Sequence, residues 1–359
     1  MTNKQVSTEV ILGNSNPRFS GVTSTMIQVL PHQQKMISMS VLGKHHLPEN
    51  IPTLSFSSCI QKLRKPLNDG NCRIFHARRN DEMLQAVALK YIFRAKIKIV
   101  FTATAQRQPT WITRWLISRA DGLLTTSGVA ASYLPRQPDL IVTHGIDSKR
   151  FHPPPLEKKD FWKTLNLPGQ FGVGIFGRIR PQKGVDLLID AMIQIFKRHP
   201  DCGATVVIVG ETTKQYKSYI KSLKDRIHAH GFEERFLFLG KQAFERIPEL
   251  FRGISIVAAL SRNEGFGLTV LEAMASGCAV VASDAGAWSD IIRREFGRLV
   301  PKNDLDLTVD ALEELIRLPS GKLDTMGVKA RAEIERNYTV EQEAQQLVDF
   351  YRSLQSQAR

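Results

Sequence analysis

The chain has 359 residues, 42% apolar and 23% charged, which is enough for two ordinary domains, each with its own core. Its 49 Lys and Arg outnumber 35 Asp and Glu for a net charge of +14; residues 1–150 alone hold 20 against 8, an excess of +12, so the first half is expected to attract anions. The longest apolar runs are strand-length and no stretch near the N-terminus has signal-peptide character, while the scattered Cys59, Cys72, Cys202 and Cys278 form no C-x-x-C pair; this argues against a spanning helix, a zinc site or a disulfide framework and fits a reducing, cytoplasmic setting.

In chain order, the first half alternates short apolar runs with helical stretches. Strands are expected at 9–13, 37–42, 73–76, 97–102, 122–126 and 140–143. The first is followed by a loop, 14–21, rich in Asn, Ser, Pro and Gly, and then by a helix at about 22–30. Strands separated by helices imply parallel pairing through crossovers, so residues 1–152 read as one open α/β sheet. Phe151-His152-Pro153-Pro154-Pro155 reads as a stiff linker, because each proline fixes φ and disfavours helix before it. The alternation restarts over 157–337, with strands at 173–176, 205–209, 236–239, 254–260 and 278–282 and helices at 185–198, about 215–230 and about 268–276. The tail 337–354 is amphipathic, with Val340, Ala344, Leu347, Val348 and Tyr351 at helical spacing; packing is a simpler use for that face than a membrane. Two such domains in tandem are expected to leave a cleft, with ligands beyond the carboxyl ends of the strands.

Two strings carry chemistry. The first is Glu264-Gly265-Phe266-Gly267-Leu268-Thr269-Val270-Leu271-Glu272-Ala273-Met274-Ala275-Ser276-Gly277. It reads as a loop that ends an apolar strand and opens a short helix. Gly265 and Gly267 let the backbone approach a ligand, and the helix start offers unpaired N–H groups to a diphosphate. Glu264 and Glu272 are carboxylates suited to sugar hydroxyls and to a ribose diol respectively. A plain strand–helix–strand unit with a capping loop fits this string equally well. The second string, Gly177-Arg178-Ile179-Arg180-Pro181-Gln182-Lys183-Gly184, follows the strand at 173–176 and precedes a helix. Arg178 and Lys183 there make a phosphate cradle, or else a basic surface loop.

Together the patterns E-G-F-G-L-x-x-L-E-A-M-A-x-G and G-R-x-x-x-x-K-G, with Gly297-Arg298-Leu299-Val300-Pro301 downstream, resemble the retaining nucleotide-sugar glycosyltransferases of family 4. The resemblance covers essentially the whole chain. It implies the GT-B fold, two Rossmann-like α/β domains facing a central cleft: an acceptor domain at 1–152 and a donor domain at 157–337, with a final helix at about 338–359 packing back onto the first. It implies that Arg178 and Lys183 neutralise the donor diphosphate, that Glu264 holds the donor sugar and that Glu272 holds the ribose. Gly267, Leu268 and Thr269 match backbone positions near the diphosphate, and Gly177, Gly265 and Phe266 join them as donor-binding candidates. Phe75-His76-Ala77-Arg78-Arg79-Asn80-Asp81-Glu82-Met83, Phe101-Thr102-Ala103-Thr104-Ala105-Gln106-Arg107, Trp111-Ile112-Thr113-Arg114-Trp115-Leu116 and Thr143-His144-Gly145-Ile146-Asp147 look like the bacterial lipopolysaccharide core mannosyltransferases. That narrower resemblance implies a GDP-mannose donor, an inner-core acceptor bearing the acidic sugar Kdo, and work at the cytoplasmic face of the inner membrane in peripheral contact with it. The +12 of the first half suits such partners, although charge alone fits RNA equally well.

The chain departs from the family in two places. His76-Ala77-Arg78 stands where many members have His-x-His, so His76 and Arg78 enter as catalytic candidates only. Ser20-Gly21-Val22 stands in place of the usual glycine pair, leaving Gly21 as the position where backbone approaches phosphate or acceptor. Asp304-Leu305-Asp306 spells the D-x-D of metal-dependent transferases, but a helix cap is the simpler account, and neither a metal nor another cofactor is expected. The expected reaction is retaining transfer, with Arg178, Lys183 and the helix start near Gly267 stabilising charge on the leaving diphosphate and domain closure excluding water. A family 4 enzyme using a UDP-sugar on another glycan or lipid is the alternative. A GT-B nucleotide-sugar epimerase and a basic nucleic-acid-binding protein are remoter; the second lacks aromatics interleaved with its basic residues beyond Trp111 and Trp115. Residues 240–247 are the expected place of the nucleotide base.

Overall fold

Apolar runs with few polar alternates must be covered on both faces, and each of the runs above becomes a strand of an all-parallel sheet. The computed structural model describes residues 8–17, 21–65, 67, 70–319 and 321–356. It divides into two compact units, Met1–Gly145 with Val340–Arg359, and Ile146–Thr339. Among the described residues, the first unit has strands β1 (Val10–Gly13), β2 (Met39–Leu42), β3 (Thr53–Leu54), β4 (Arg73–Ala77), β5 (Ile97–Thr102), β6 (Gly122–Thr125) and β7 (Leu140–Ile141), in the order β3-β2-β1-β4-β5-β6-β7. Every pairing is parallel. Successive side chains alternate between two cores. Val10, Leu12, Ile74 and Val100 enter one, and Ile11, Phe75, Ile99 and Phe101 enter the other.

The first core is closed by two helices, Gly21–Gln34 and Val340–Ser356. On the second of these, Val340, Ala344, Leu347, Val348, Tyr351 and Leu354 form one buried stripe, each large side chain contributing about 1.5–3 kcal/mol on burial. The last helix of the chain is therefore part of the first unit. Two features have no counterpart in the sequence pattern: the two-residue edge strand β3, and a π-helical turn, Ala88–Ile92, that extends the helix Asn80–Val87.

The second unit has strands β8 (Phe171–Phe176), β9 (Ala204–Val209), β10 (Phe236–Gly240), β11 (Ile254–Ala259), β12 (Ala279–Ser283) and β13 (Gly297–Val300), in the order β10-β9-β8-β11-β12-β13, again parallel throughout. Cores lie on both faces of this sheet as well. The chain passes from one unit to the other between Gly145 and Ile146, ahead of the proline run expected as the linker. The cause is local: Ile146 N–H donates to Tyr338 O at 2.9 Å, and Phe151 is buried against Phe251 with ring centroids 5.8 Å apart. Both sheets reverse their strand order once, between β1 and β4 and between β8 and β11. The carboxyl ends of those strands are where open α/β sheets bind ligands.

Candidate functional site

In the second unit, the loops after β8 and β11 lie side by side because those strands are neighbours at the reversal. The first, 177–184, leads to the helix Val185–Arg198. Gly184 closes it with φ +70°, and a Cβ there would lie 2.1 Å from the Leu260 carbonyl oxygen, so glycine alone lets the loop rest against the end of β11. The second loop leads to the helix Leu268–Ala275. Gly267 has φ +86°, and a Cβ there would lie 2.4 Å from Nε1 of Trp288, which instead donates to Gly267 O at 2.9 Å.

Charge joins the two loops. Lys183 Nζ donates to Glu264 Oε2 in a close ion pair, Ser261 Oγ donates to the same oxygen at 3.2 Å, and Gly265 N–H donates to Oε1 at 3.3 Å. Arg262 adds a second tie. Its guanidinium bonds both carboxylate oxygens of Asp186, at 3.0 and 2.7 Å, and the Pro181 carbonyl, while its backbone N–H donates to Gln182 O at 2.8 Å. Tyr219 OH donates to Asp186 Oδ1 at 2.9 Å. Burial works to raise the Asp186 pKa, but the Arg262 and Tyr219 hydrogen bonds outweigh it and hold the carboxyl below its ordinary value. This bidentate clamp fixes the basic loop to the helix start behind it.

Arg178 is exposed at the beginning of its loop, beside Gly177, and no hydrogen bond or ion pair engages it among the described residues. Leu268 and Thr269 are half-buried in the first turn of their helix, whereas Phe266 is buried in the core, where its side chain is a packing group. Glu272 is half-buried one turn on. Burial pushes its carboxyl up to about 7, against the pull of Arg150 and Lys183. Arg150 Nη2 donates to Phe244 O at 2.6 Å, and its guanidinium sits 3.1 Å from the Phe244 ring centroid. Phe244 lies within the segment expected to meet the base and is 59% exposed. Arg150, Phe244, Arg262 and Asp186 were not singled out by the sequence patterns. An aromatic left exposed in a polar loop was the one available signal.

In the first unit, His76 on β4 is only 3% exposed. Its Nδ1 lies 2.6 Å from the Tyr351 hydroxyl and its Nε2 2.7 Å from the Thr102 hydroxyl. Burial, reinforced by the Arg78 charge, holds its pKa well below the ordinary value, so the imidazole is neutral and one nitrogen donates while the other accepts. Arg78 Nη2 donates to Gly13 O at 3.1 Å across the reversal point, and its Nε is buried without a partner. Its backbone N–H donates to Glu82 Oε2 at 2.7 Å, and Arg79 Nη2 donates to Thr23 Oγ1 at 3.0 Å. His76 and Arg78 line a cavity of about 30 Å³ together with Thr102, Thr126, His144 and Glu343. Glu343 bonds His144 Nδ1 at 2.9 Å and the Gly145 N–H at 2.7 Å. Gly21 opens its helix, and the place its Cβ would take is open space. Ser20 lies outside the described residues.

Among the described residues, no group of three or more His, Cys, Asp or Glu is placed to hold a metal ion. Asp304 caps the helix Leu305–Ile316, accepting from the Leu307 N–H at 2.9 Å. No described helix is long and apolar enough to cross a membrane.

With this geometry in place, likeness to known proteins narrows the reading. The family model for glycosyl transferases group 1 matches residues 157–333. The chain is 40% identical, over 352 residues covering 96% of it and 97% of the relative, to the lipopolysaccharide core biosynthesis mannosyltransferase LpsB of Rhizobium meliloti (strain 1021). It is 38% identical, over 351 residues covering 96% of both, to the lipopolysaccharide core biosynthesis mannosyltransferase LpcC of Rhizobium leguminosarum bv. viciae. Among solved structures, Anabaena HepE in complex with UDP matches with a TM-score of 0.78 over 96% of this chain and 100% of that one, at 19% identity, which is a likeness of GT-B fold.

Proposed function

Because the chain belongs to the group 1 glycosyl transferases, we propose that it transfers mannose from GDP-mannose to the Kdo-containing inner core of lipopolysaccharide, with retention at the anomeric carbon, at the cytoplasmic face of the inner membrane. The observation that carries the donor half of this reading is the Lys183–Glu264 pair at the ends of β8 and β11. An arriving diphosphate competes for the Lys183 ammonium and also meets the unengaged Arg178 guanidinium. Glu264 is then released to accept hydrogen bonds from sugar hydroxyls. Glu272, one turn into the helix, accepts from the ribose diol, and Arg150 with Phe244 offers a cationic and aromatic surface to the base. The choice of mannose and of the lipopolysaccharide core leans on the two relatives that match over nearly the full chain.

In the reaction the bond from the anomeric carbon to the diphosphate oxygen breaks. The acceptor hydroxyl forms its bond on the same face, and its proton passes to a donor phosphate oxygen. Charge developing on the diphosphate is met by Arg178, Lys183 and the N–H groups at the start of the helix Leu268–Ala275. No metal step is needed for this. On the acceptor side, the half-buried Arg78 supplies a cation for an acidic sugar, and neutral His76 holds the cavity wall in place.

The test is transfer from GDP-mannose to a Kdo-bearing lipid acceptor. Arg178→Ala is expected to lower transfer at least about a hundredfold while leaving the unfolding midpoint unchanged, and transfer by the unaltered chain is expected to persist in excess EDTA. Full activity in the variant, or an EDTA loss that magnesium restores, would contradict the proposal.

A further inference from the structure

The helix Trp111–Ile117 is apolar on two sides, yet only one of them is covered. Leu116 and Ile117 are buried in the core, whereas Trp111 is 78% exposed and Ile112 and Trp115 also stand in solvent. Next to it, the π-helical turn Ala88–Ile92 leaves Tyr91 exposed and Ile92 72% exposed, and Leu84 one turn earlier is exposed as well.

These residues form one patch. Asn80 Nδ2 donates to Thr113 Oγ1 at 2.9 Å, which ties the two helical segments together. The Arg119 guanidinium lies 5.5 Å from the Trp115 ring centroid and 5.9 Å from that of Tyr91. Among the described residues, six of the thirteen exposed large apolar side chains of the whole chain fall here, so the patch is a concentration and not the scatter normal for a surface.

Charge says what covers it. Residues 83–120 contain seven Lys and Arg and no Asp or Glu, and of the seven Lys90 is paired with the neighbouring Asp121 at 2.6 Å. Arg94, Arg107, Arg114 and Arg119 are all exposed in this stretch, and Arg119 lies over the Trp115 and Tyr91 rings. Indole and phenol rings flanked by long basic side chains match the interface of an anionic bilayer: rings settle at headgroup depth, and guanidinium groups reach the phosphates.

We propose that this face, Trp111 and Trp115 with Tyr91 and Ile92 and the arginines around them, docks the protein on an anionic membrane surface. The proposal deepens the reading of a lipid-linked acceptor and rests on it for its biological sense. None of these side chains belongs to the donor or acceptor groups described above.

The experiment is co-sedimentation of the full chain with vesicles of phosphatidylglycerol and phosphatidylcholine mixed equally, and with phosphatidylcholine alone. Binding is expected to the anionic vesicles and to weaken with added salt. The double variant Trp111→Ser with Trp115→Ser is expected to lower the bound fraction about tenfold, and Arg114→Glu with Arg119→Glu to abolish the preference for anionic lipid. Binding of GDP-mannose measured on the same variants is expected to stay unchanged; it reports folding and tests the transferase reading separately. Unaltered vesicle binding by the tryptophan variant, equal binding to both vesicles, or a concentration-dependent dimer that the variant abolishes would overturn the membrane assignment.

Discussion

Glu272 holds a protonation equilibrium close to neutrality, because burial raises its carboxyl to about 7 while Arg150 and Lys183 pull it down. A ribose diol donates hydrogen bonds to the charged form, so donor binding should favour deprotonation and release a proton. Affinity for the donor is therefore expected to rise with pH through about 7, and to be about tenfold weaker at pH 6 than at pH 8. Glu272→Gln should flatten that profile in a binding titration; a profile unchanged by the substitution would remove Glu272 from the ribose. In the donor-free protein the sign is opposite for folding. The folded state holds this proton more tightly than the unfolded chain, whose value is near 4.5, so the group's contribution to stability falls as pH rises from there to about 7. Both glutamates were legible in the sequence as carboxylates in a glycine-rich loop and the helix after it. Arg150 was not, since its nearness to Glu272 is created by the fold and no spacing announces it. His76 was named from the sequence, but its two hydroxyl partners, which come from β5 and from the last helix of the chain, were not.

The helix Leu268–Ala275, whose first turn is the proposed meeting point with the donor diphosphate, has its last turn fixed from behind. Lys158, buried, donates to the carbonyls of Arg252, Ile254 and Ser276 at 3.0, 2.9 and 2.9 Å, and Arg331 donates to Ala275 O at 3.0 Å. Two cations thus satisfy carbonyl groups at the carboxyl ends of this helix and of the helix Arg246–Gly253, where the helix dipole favours positive charge. Lys158→Met leaves those carbonyls without a donor and is expected to cost about 3 kcal/mol, read as a lower urea midpoint at constant slope. A loss within experimental error would mean that other donors replace the ammonium. At this scale the sequence was informative wherever a strand is covered on both faces, as at β5, whose bounds match the apolar run at 97–102. It was silent at β3, where two residues on a sheet edge carry no periodicity. A buried lysine gives no sequence signal either, because it reads as one more surface charge next to Lys159.

The whole molecule is two parallel-sheet units, and the alternation of apolar runs with helical stretches was enough to announce both. Where the chain passes between them was less legible, because a proline run looks like a linker even when Phe151 anchors its beginning in a core. The excess of +12 in residues 1–150 was visible as a number, but its meaning depends on placement. Arg78 places one of those charges on the wall of the cavity beside His76, and Arg119 places another over the exposed Trp115 ring. The central claim is that the second unit recognises a nucleotide sugar and that the sugar is mannose on GDP. Calorimetric titration of the full chain with GDP-mannose, UDP-glucose, GDP and UDP, with and without EDTA, tests it most directly. The account predicts GDP-mannose binding that is selective over UDP-glucose, insensitive to EDTA and lost in Lys183→Ala. Tighter binding of UDP-glucose would contradict the donor assignment, and binding of none of the four would contradict the transferase site itself.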